Sequence, residues 1–135
     1  MNPVVQKEKT GCGIASSAAL AGISYDAAKD VANSIGIYAE DTALFSDTDY
    51  VRKLLKHLGI NTSPEEKAFT SWDALPDKAL LAIKWREKEG KAFWHWTCFV
   101  RQNGEAAVWD SGMRLKSPVR TDFWRMQPKW YIAVL

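Results

Sequence analysis

Two cysteines and two histidines are all that this 135-residue chain offers in thiols and imidazoles. So few cysteines cannot build the disulfide framework of a small secreted domain, and the four residues together lack the spacing of a zinc site. An excess of one charge is missing too. Eighteen basic against 16 acidic side chains leave a net +2, which gives no general reason to expect nucleic acid or a membrane surface as partner. The apolar stretch from Ile14 to Ile23 is too short and too rich in small residues to cross a bilayer. Met1 to Thr10 is polar apart from Val4-Val5, so the hydrophobic region of a secretory signal is absent. These absences lead us to expect a soluble, cytoplasmic protein with free thiols. Gly11-Cys12-Gly13 with Ser16 imitates a dinucleotide fingerprint, but its third glycine is missing and no βαβ alternation follows. No cofactor and no metal is expected.

What is present is enough for a core. Hydrophobic residues make up 47% and charged residues 25%, an ordinary balance for one compact domain spanning residues 1–135. Seven tryptophans are many for this length and are expected mostly as core, or as bulk supporting a groove. Helical patterns come first. Gly13 to Ala21 is a small-residue helix closed by Gly22, and Ser24 caps a second over residues 25–35 that Gly36 stops. Residues 37–46 read as loop. Val51, Leu54, Leu55 and Leu58 repeat at i, i+3, i+4, i+7, predicting a third helix from a cap at Asp47 or Thr48 to Gly59. Strand patterns follow over residues 79–85, 93–101, 106–110 and 130–134, with a charged turn from Arg86 to Lys91 and a hairpin turn over residues 102–105. Helices first and antiparallel strands second define an α+β architecture, the helices packed on one side of the sheet.

Cys12 stands at or just before a helix N-terminus, where the macrodipole and unpaired N–H groups favour negative charge on the sulfur. Such a sulfur becomes a catalytic nucleophile only beside an imidazole. His95, in the apolar run Phe93 to Val100, can supply one, and Asp110, ahead of a Ser111-Gly112 turn, can orient it. Gln6 lies six residues before the cysteine. Gly11 and Gly13 are expected to leave room for a substrate backbone. Strand alternation puts His95, Thr97 and Phe99 on one face and Trp94, Trp96 and Cys98 on the other, so Cys98 is expected as a core thiol turned away from Cys12. Each residue also has a plainer reading: Cys12 a buried thiol, His95 a core histidine, Asp110 the start of a turn, Gln6 a surface amide. His57, in the last turn of the third helix, complements the dipole and needs no other purpose. Arg114, Lys116, Arg120, Arg125 and Lys129, interleaved with Phe123, Trp124 and Trp130, form a locally basic, aromatic segment. That segment is a candidate surface for nucleic acid or an acidic peptide, or simply a solvated face over core aromatics.

Gln6, Cys12-Gly13 with its small-residue helix, His95 on a hydrophobic strand and Asp110 after the next resemble the double-glycine-type, bacteriocin-processing cysteine peptidases, a bacterial branch of the papain-like fold. The resemblance spans nearly the whole chain in order and spacing, with identity confined to these short motifs. It implies Cys12 as nucleophile, His95 as general base and acid, and Asp110 as the group that orients the imidazole. It further implies an oxyanion hole made by Gln6 and the Cys12 N–H, and a peptide or protein as substrate. Two departures stand out. Gly11 occupies a position where many members carry aspartate, and Ser111 follows Asp110 where proline is common. No membrane-spanning or ATPase segment of the transporter-fused members is present, so a stand-alone enzyme is expected. The same triad would serve deamidation or acyl transfer, and a peptidase-like module that binds peptide without cleaving it is the alternative outside enzymes.

Overall fold

The computed structural model describes residues 1–135. Three helices, α1 (Cys12–Ala21), α2 (Tyr25–Ser34) and α3 (Asp49–His57), come before the strands. The strands are β1 (Lys67–Ala68), β2 (Lys78–Lys88), β3 (Lys91–Gln102), β4 (Glu105–Trp109), β5 (Val119–Arg120) and β6 (Trp130–Ala133). They form one six-stranded antiparallel sheet in the order β1-β6-β2-β3-β4-β5. This is the α+β class that the sequence predicts. No helix is long and apolar enough to cross a membrane.

Local chemistry explains the helix ends. Gly22 closes α1 in the left-handed conformation, which glycine adopts without strain, and the Ser24 hydroxyl accepts the Ala27 N–H to start α2. Of the two residues expected to start the third helix, Thr48 makes no side-chain cap, and the Asp47 carboxylate accepts the Asp49 N–H. Residues 42–46, expected as loop, wind into a 3-10 turn. The charged turn shrinks to Glu89-Gly90, because Arg86, Glu87 and Lys88 pair across to Phe93, Ala92 and Lys91. Asn103-Gly104, both at positive φ, make the tight hairpin joining β3 and β4. The two-residue strands β1 and β5 escaped the sequence reading, since two residues show no periodicity.

The sheet separates two cores. On one face, the helices pack over Leu80, Ala82, Trp94, Trp96, Cys98 and Ile132. On the other, Leu75, Ala79, Leu81, Ile83, Phe99, Val108 and Met126 form a smaller cluster under the connecting segments. Helix α1 is buried nearly all round, which its run of Ala, Ser and Gly permits by letting neighbours approach closely. A bulge interrupts β2, where the register with β3 shifts between Ile83 and Arg86 and Lys84 adopts φ 55°. The extra residue reverses the alternation, so Ile83 packs in the smaller core and Trp85 against the larger one.

Gly13 tests the packing of α1 on α3. A glycine-to-alanine change inside a helix normally stabilises by about 1 kcal/mol. Here a Cβ on Gly13 would overlap the Tyr50 hydroxyl and lie 2.6 Å from its ring carbon Cζ. Gly13→Ala should therefore destabilise, by about 1–3 kcal/mol in urea unfolding. Tyr50→Phe should restore only part of the loss, since the ring carbons stay too close.

Candidate active site

The site forms where β3 lacks a neighbour. Strand β4 pairs with β3 only between Cys98–Trp109 and Gln102–Glu105, leaving the β3 edge before Cys98 open. The N-terminal end of α1 fills that gap. The Trp96 N–H donates to Cys12 Sγ at 3.4 Å, and Ser16 Oγ donates to the Trp96 carbonyl at 3.4 Å. One residue pair further, the Cys98 thiol donates to the Ser16 carbonyl at 3.1 Å. Cys98 thus points toward α1 and not away from it, which corrects the expectation from strand alternation. Cys12 and His95 meet all the same, because the sulfur lies beside the strand edge, within reach of either face. Cys98 is fully buried as expected, and burial pushes its thiol up to about 12, the Ser16 contact opposing only part of this.

Beyond Trp109 the chain leaves the sheet, and Asp110 swings to the His95 ring. His95 Nε2 lies 2.7 Å from Asp110 Oδ1, leaving Nδ1 as the nitrogen free to exchange a proton with Cys12. Burial disfavours the imidazolium, but hydrogen bonds to Asp110 and then to Cys12, with their negative charges, outweigh it and hold His95 at about 9. Asp110 is 1% exposed. Burial alone would push its carboxyl up; His95, the Gly112 N–H and Arg120 together hold it well below the usual carboxylate range. Arg120 Nη1 donates to Asp110 Oδ2 at 3.0 Å while Nη2 donates to Asp122 Oδ2 at 2.7 Å. This arginine was not singled out from the sequence, where it is one cation of a basic segment. Only the pairing of β5 with β4 sets it beside Asp110.

Gln6 is close by but occupied. Its Nε2 donates to the carbonyls of Glu8 at 2.8 Å and Lys9 at 3.1 Å, and its Oε1 accepts from Ser111 Oγ at 2.7 Å. Turning the amide over would face oxygen against two carbonyls, so this orientation is fixed by its partners. The Gln6 N–H also donates to the Ser111 carbonyl at 2.9 Å. Ser111 therefore anchors Gln6 to the chain that carries Asp110. The N-cap Gly11 offers no side chain, so the N–H groups at the start of α1, that of Cys12 among them, have no side-chain cap. The room beside Gly11 and Gly13 is not left for substrate: Tyr25 and Tyr50 hydroxyls fill it. Tyr25 donates to Glu8, which also pairs with Lys29. Tyr50 is raised well above an ordinary phenol by burial, and further by the neighbouring Cys12 and Asp47, so its hydroxyl keeps its proton beside α1. Neither tyrosine carries a sequence signal for this role.

Gln6 and His95 line a cleft of roughly 630 Å³, within the range of ligand-binding pockets. Cys12 is buried beside His95 at 3% exposure and is not itself among the residues that line the cleft. His57 is remote, exposed on α3 with Nδ1 3.1 Å from the Lys53 carbonyl. The basic segment does not form one surface. Arg114 borders the cleft, Arg120 is held by Asp110 and Asp122, and Lys129 stacks 4.4 Å over the Trp85 ring. No group of His, Cys, Asp and Glu side chains is placed to hold a metal ion. Comparison with family models, with curated proteins and with solved structures returns no match for this chain.

The ion pair makes stability depend on pH in a defined direction. His95, held at about 9 against an ordinary 6.5, contributes fully below pH 6.5 and loses that contribution as pH rises through 9. Asp110, held low, contributes above about pH 4 and loses it as acid protonates the carboxylate. Urea unfolding should show stability falling between pH 6.5 and about 9, and Asp110→Asn should flatten that fall. An identical alkaline slope in both proteins would show that the pair is not coupled to folding.

Proposed function

We propose that this chain is a stand-alone papain-like cysteine peptidase or amide hydrolase, working through Cys12, His95 and Asp110 by a thioester acyl-enzyme. One observation carries the reading: a single imidazole is held by a buried carboxylate on Nε2 and set against a cysteine at a helix N-terminus. The resemblance in motif order and spacing agrees with it. The two free thiols suit a reducing compartment, and cytoplasmic residence belongs to the same proposal.

The chemistry follows from the geometry. The Cys12 sulfur attacks the substrate carbonyl carbon, forming a C–S bond and placing charge on the oxygen. The Cys12 N–H, at the positive end of α1, is the donor free to meet that oxyanion. Collapse breaks the C–N bond as His95 Nδ1 gives its proton to the leaving amine. Water then attacks the thioester while Nδ1 takes its proton, the C–S bond breaks and the acid leaves. Asp110 keeps the ring oriented through both halves, and Arg120 keeps Asp110 ionised. Deamidation or acyl transfer would use the same acyl-enzyme with ammonia as leaving group or another nucleophile in place of water.

Gln6 favours a second reading. With both amide hydrogens on the Glu8 and Lys9 carbonyls, it can serve an oxyanion only after releasing one. A peptide-binding module that never cleaves would leave it where it is.

Alkylation and turnover separate these readings. At about pH 6, limiting iodoacetamide should label Cys12 ahead of Cys98, and His95→Ala should slow this sharply while His57→Ala should not. Turnover of a fluorogenic peptide should fall by about 10³-fold or more in Cys12→Ala and His95→Ala. Gln6→Ala should lower turnover by about 10²–10³ with alkylation intact if the amide turns toward the oxyanion. Cys98 labelling as fast as Cys12, or Cys12 labelling indifferent to His95, would reject the catalytic pair.

A further inference from the structure

The cleft beside His95 is bordered by Lys9, Lys84, Arg86 and Arg114, and no carboxylate lines it. All four side chains are exposed, and none is engaged in an ion pair. On a chain with 18 basic and 16 acidic residues, this is a local excess and not a reflection of overall charge. Two of the four are put there by the bulge in β2. Lys84 takes a left-handed φ of 55°, uncommon for any residue but glycine, asparagine or aspartate. That backbone turn brings Lys84 and Arg86 to the same cleft while Trp85 between them packs on the larger core. Arg86 is further fixed, with Nη1 3.2 Å from the Lys84 carbonyl and its guanidinium 5.7 Å over the Phe93 ring. Strain kept at the rim of a site, with a side chain locked by it, is the pattern of a recognition feature.

We infer that this cleft selects peptides carrying carboxylates next to the bond presented to Cys12. The inference rests on the proposed function and names its substrate class. Four cations around a concave surface raise the local concentration of an anionic ligand and oppose a cationic one. Phe45, Met113 and Leu115 give the same cleft an apolar side, suited to the side chains of a peptide. Nucleic acid is the less fitting polyanion, since Phe45 is the one aromatic lining residue and base stacking needs a series of such faces.

Binding to Cys12→Ala protein, read by fluorescence anisotropy, tests the charge preference without requiring turnover. Labelled peptides identical except for Glu, Gln or Lys at two central positions should bind in that order. Glu and Lys peptides should differ by about 10-fold or more, and the gap should shrink as salt rises from about 50 to 500 mM. Lys84→Gln/Arg86→Gln should close most of the gap, and Lys56→Gln, far away on α3, should leave it unchanged. The order should survive C-terminal amidation, since the three peptides share one terminus; an order lost on amidation overturns the inference. Equal binding of all three peptides, tighter binding of the Lys peptide, or displacement of the Glu peptide by an equal concentration of oligonucleotide of the same length overturns it. Failure of the proposed function looks different: no turnover of any peptide by the unaltered protein and no selective alkylation of Cys12, whatever the binding order.

Discussion

The edge of β3 at Trp96 is the constraint on which the rest depends. A strand edge presents N–H and C=O groups that must find partners, and here β4 turns away before it can supply them. Helix α1 supplies them with side chains, the Cys12 sulfur accepting from the Trp96 N–H and the Ser16 hydroxyl donating to its carbonyl. The spacing of those two residues is one helical turn, so a helix laid along the edge meets both groups of one residue. The nucleophile position is thereby set by main-chain hydrogen bonding rather than by loose packing. Enlarging any small residue of α1 would lift the helix and the sulfur with it.

Departure of β4 from the edge has a second consequence. The same turn that frees Trp96 carries Asp110 toward His95, and β5 returns Arg120 to the far side of the carboxylate. An isolated carboxylate at 1% exposure would be costly and would take up a proton. Cations on both oxygens, with the Gly112 N–H, make its ionised form the stable one. Arg120 in turn keeps Asp122 on its remaining nitrogens, so neither charge is left unpaired. The chain Asp122–Arg120–Asp110–His95 ties the segments that follow β4 and β5 to strand β3.

Charge pairing inside the site also shapes its exterior. Asp110 and Asp122 are taken up by Arg120, and Glu8 and Glu40 by Lys29. The acids nearest the site are therefore committed to structure, and the cations bordering the cleft stay free to meet a ligand. The β2 bulge places two of those cations, so a local backbone irregularity, and not composition, sets the electrostatics of the cleft.

The sequence by itself determined the class and most of its elements. Amphipathic spacing in Val51, Leu54, Leu55 and Leu58, the Ser24 cap, Gly22 and Asn103-Gly104 are local signals, and local sterics and hydrogen bonding settle them. It also offered Cys12, His95, Asp110 and Gln6 as a set, because the chain holds only two cysteines and two histidines, and Gln6 and Asp110 complete an order of motifs that resembles a papain-like site. Tertiary structure decided what those residues touch. Alternation counted along one strand turned Cys98 away from Cys12, but the sulfur sits at an edge, where alternation between faces no longer separates partners. Arg120, Tyr25 and Tyr50 gained their places through pairing with segments distant in sequence, which no window of the chain contains. Gln6 shows the same limit. Its amide was available on paper, and two carbonyls of its own loop and one serine hydroxyl across the fold had already claimed it.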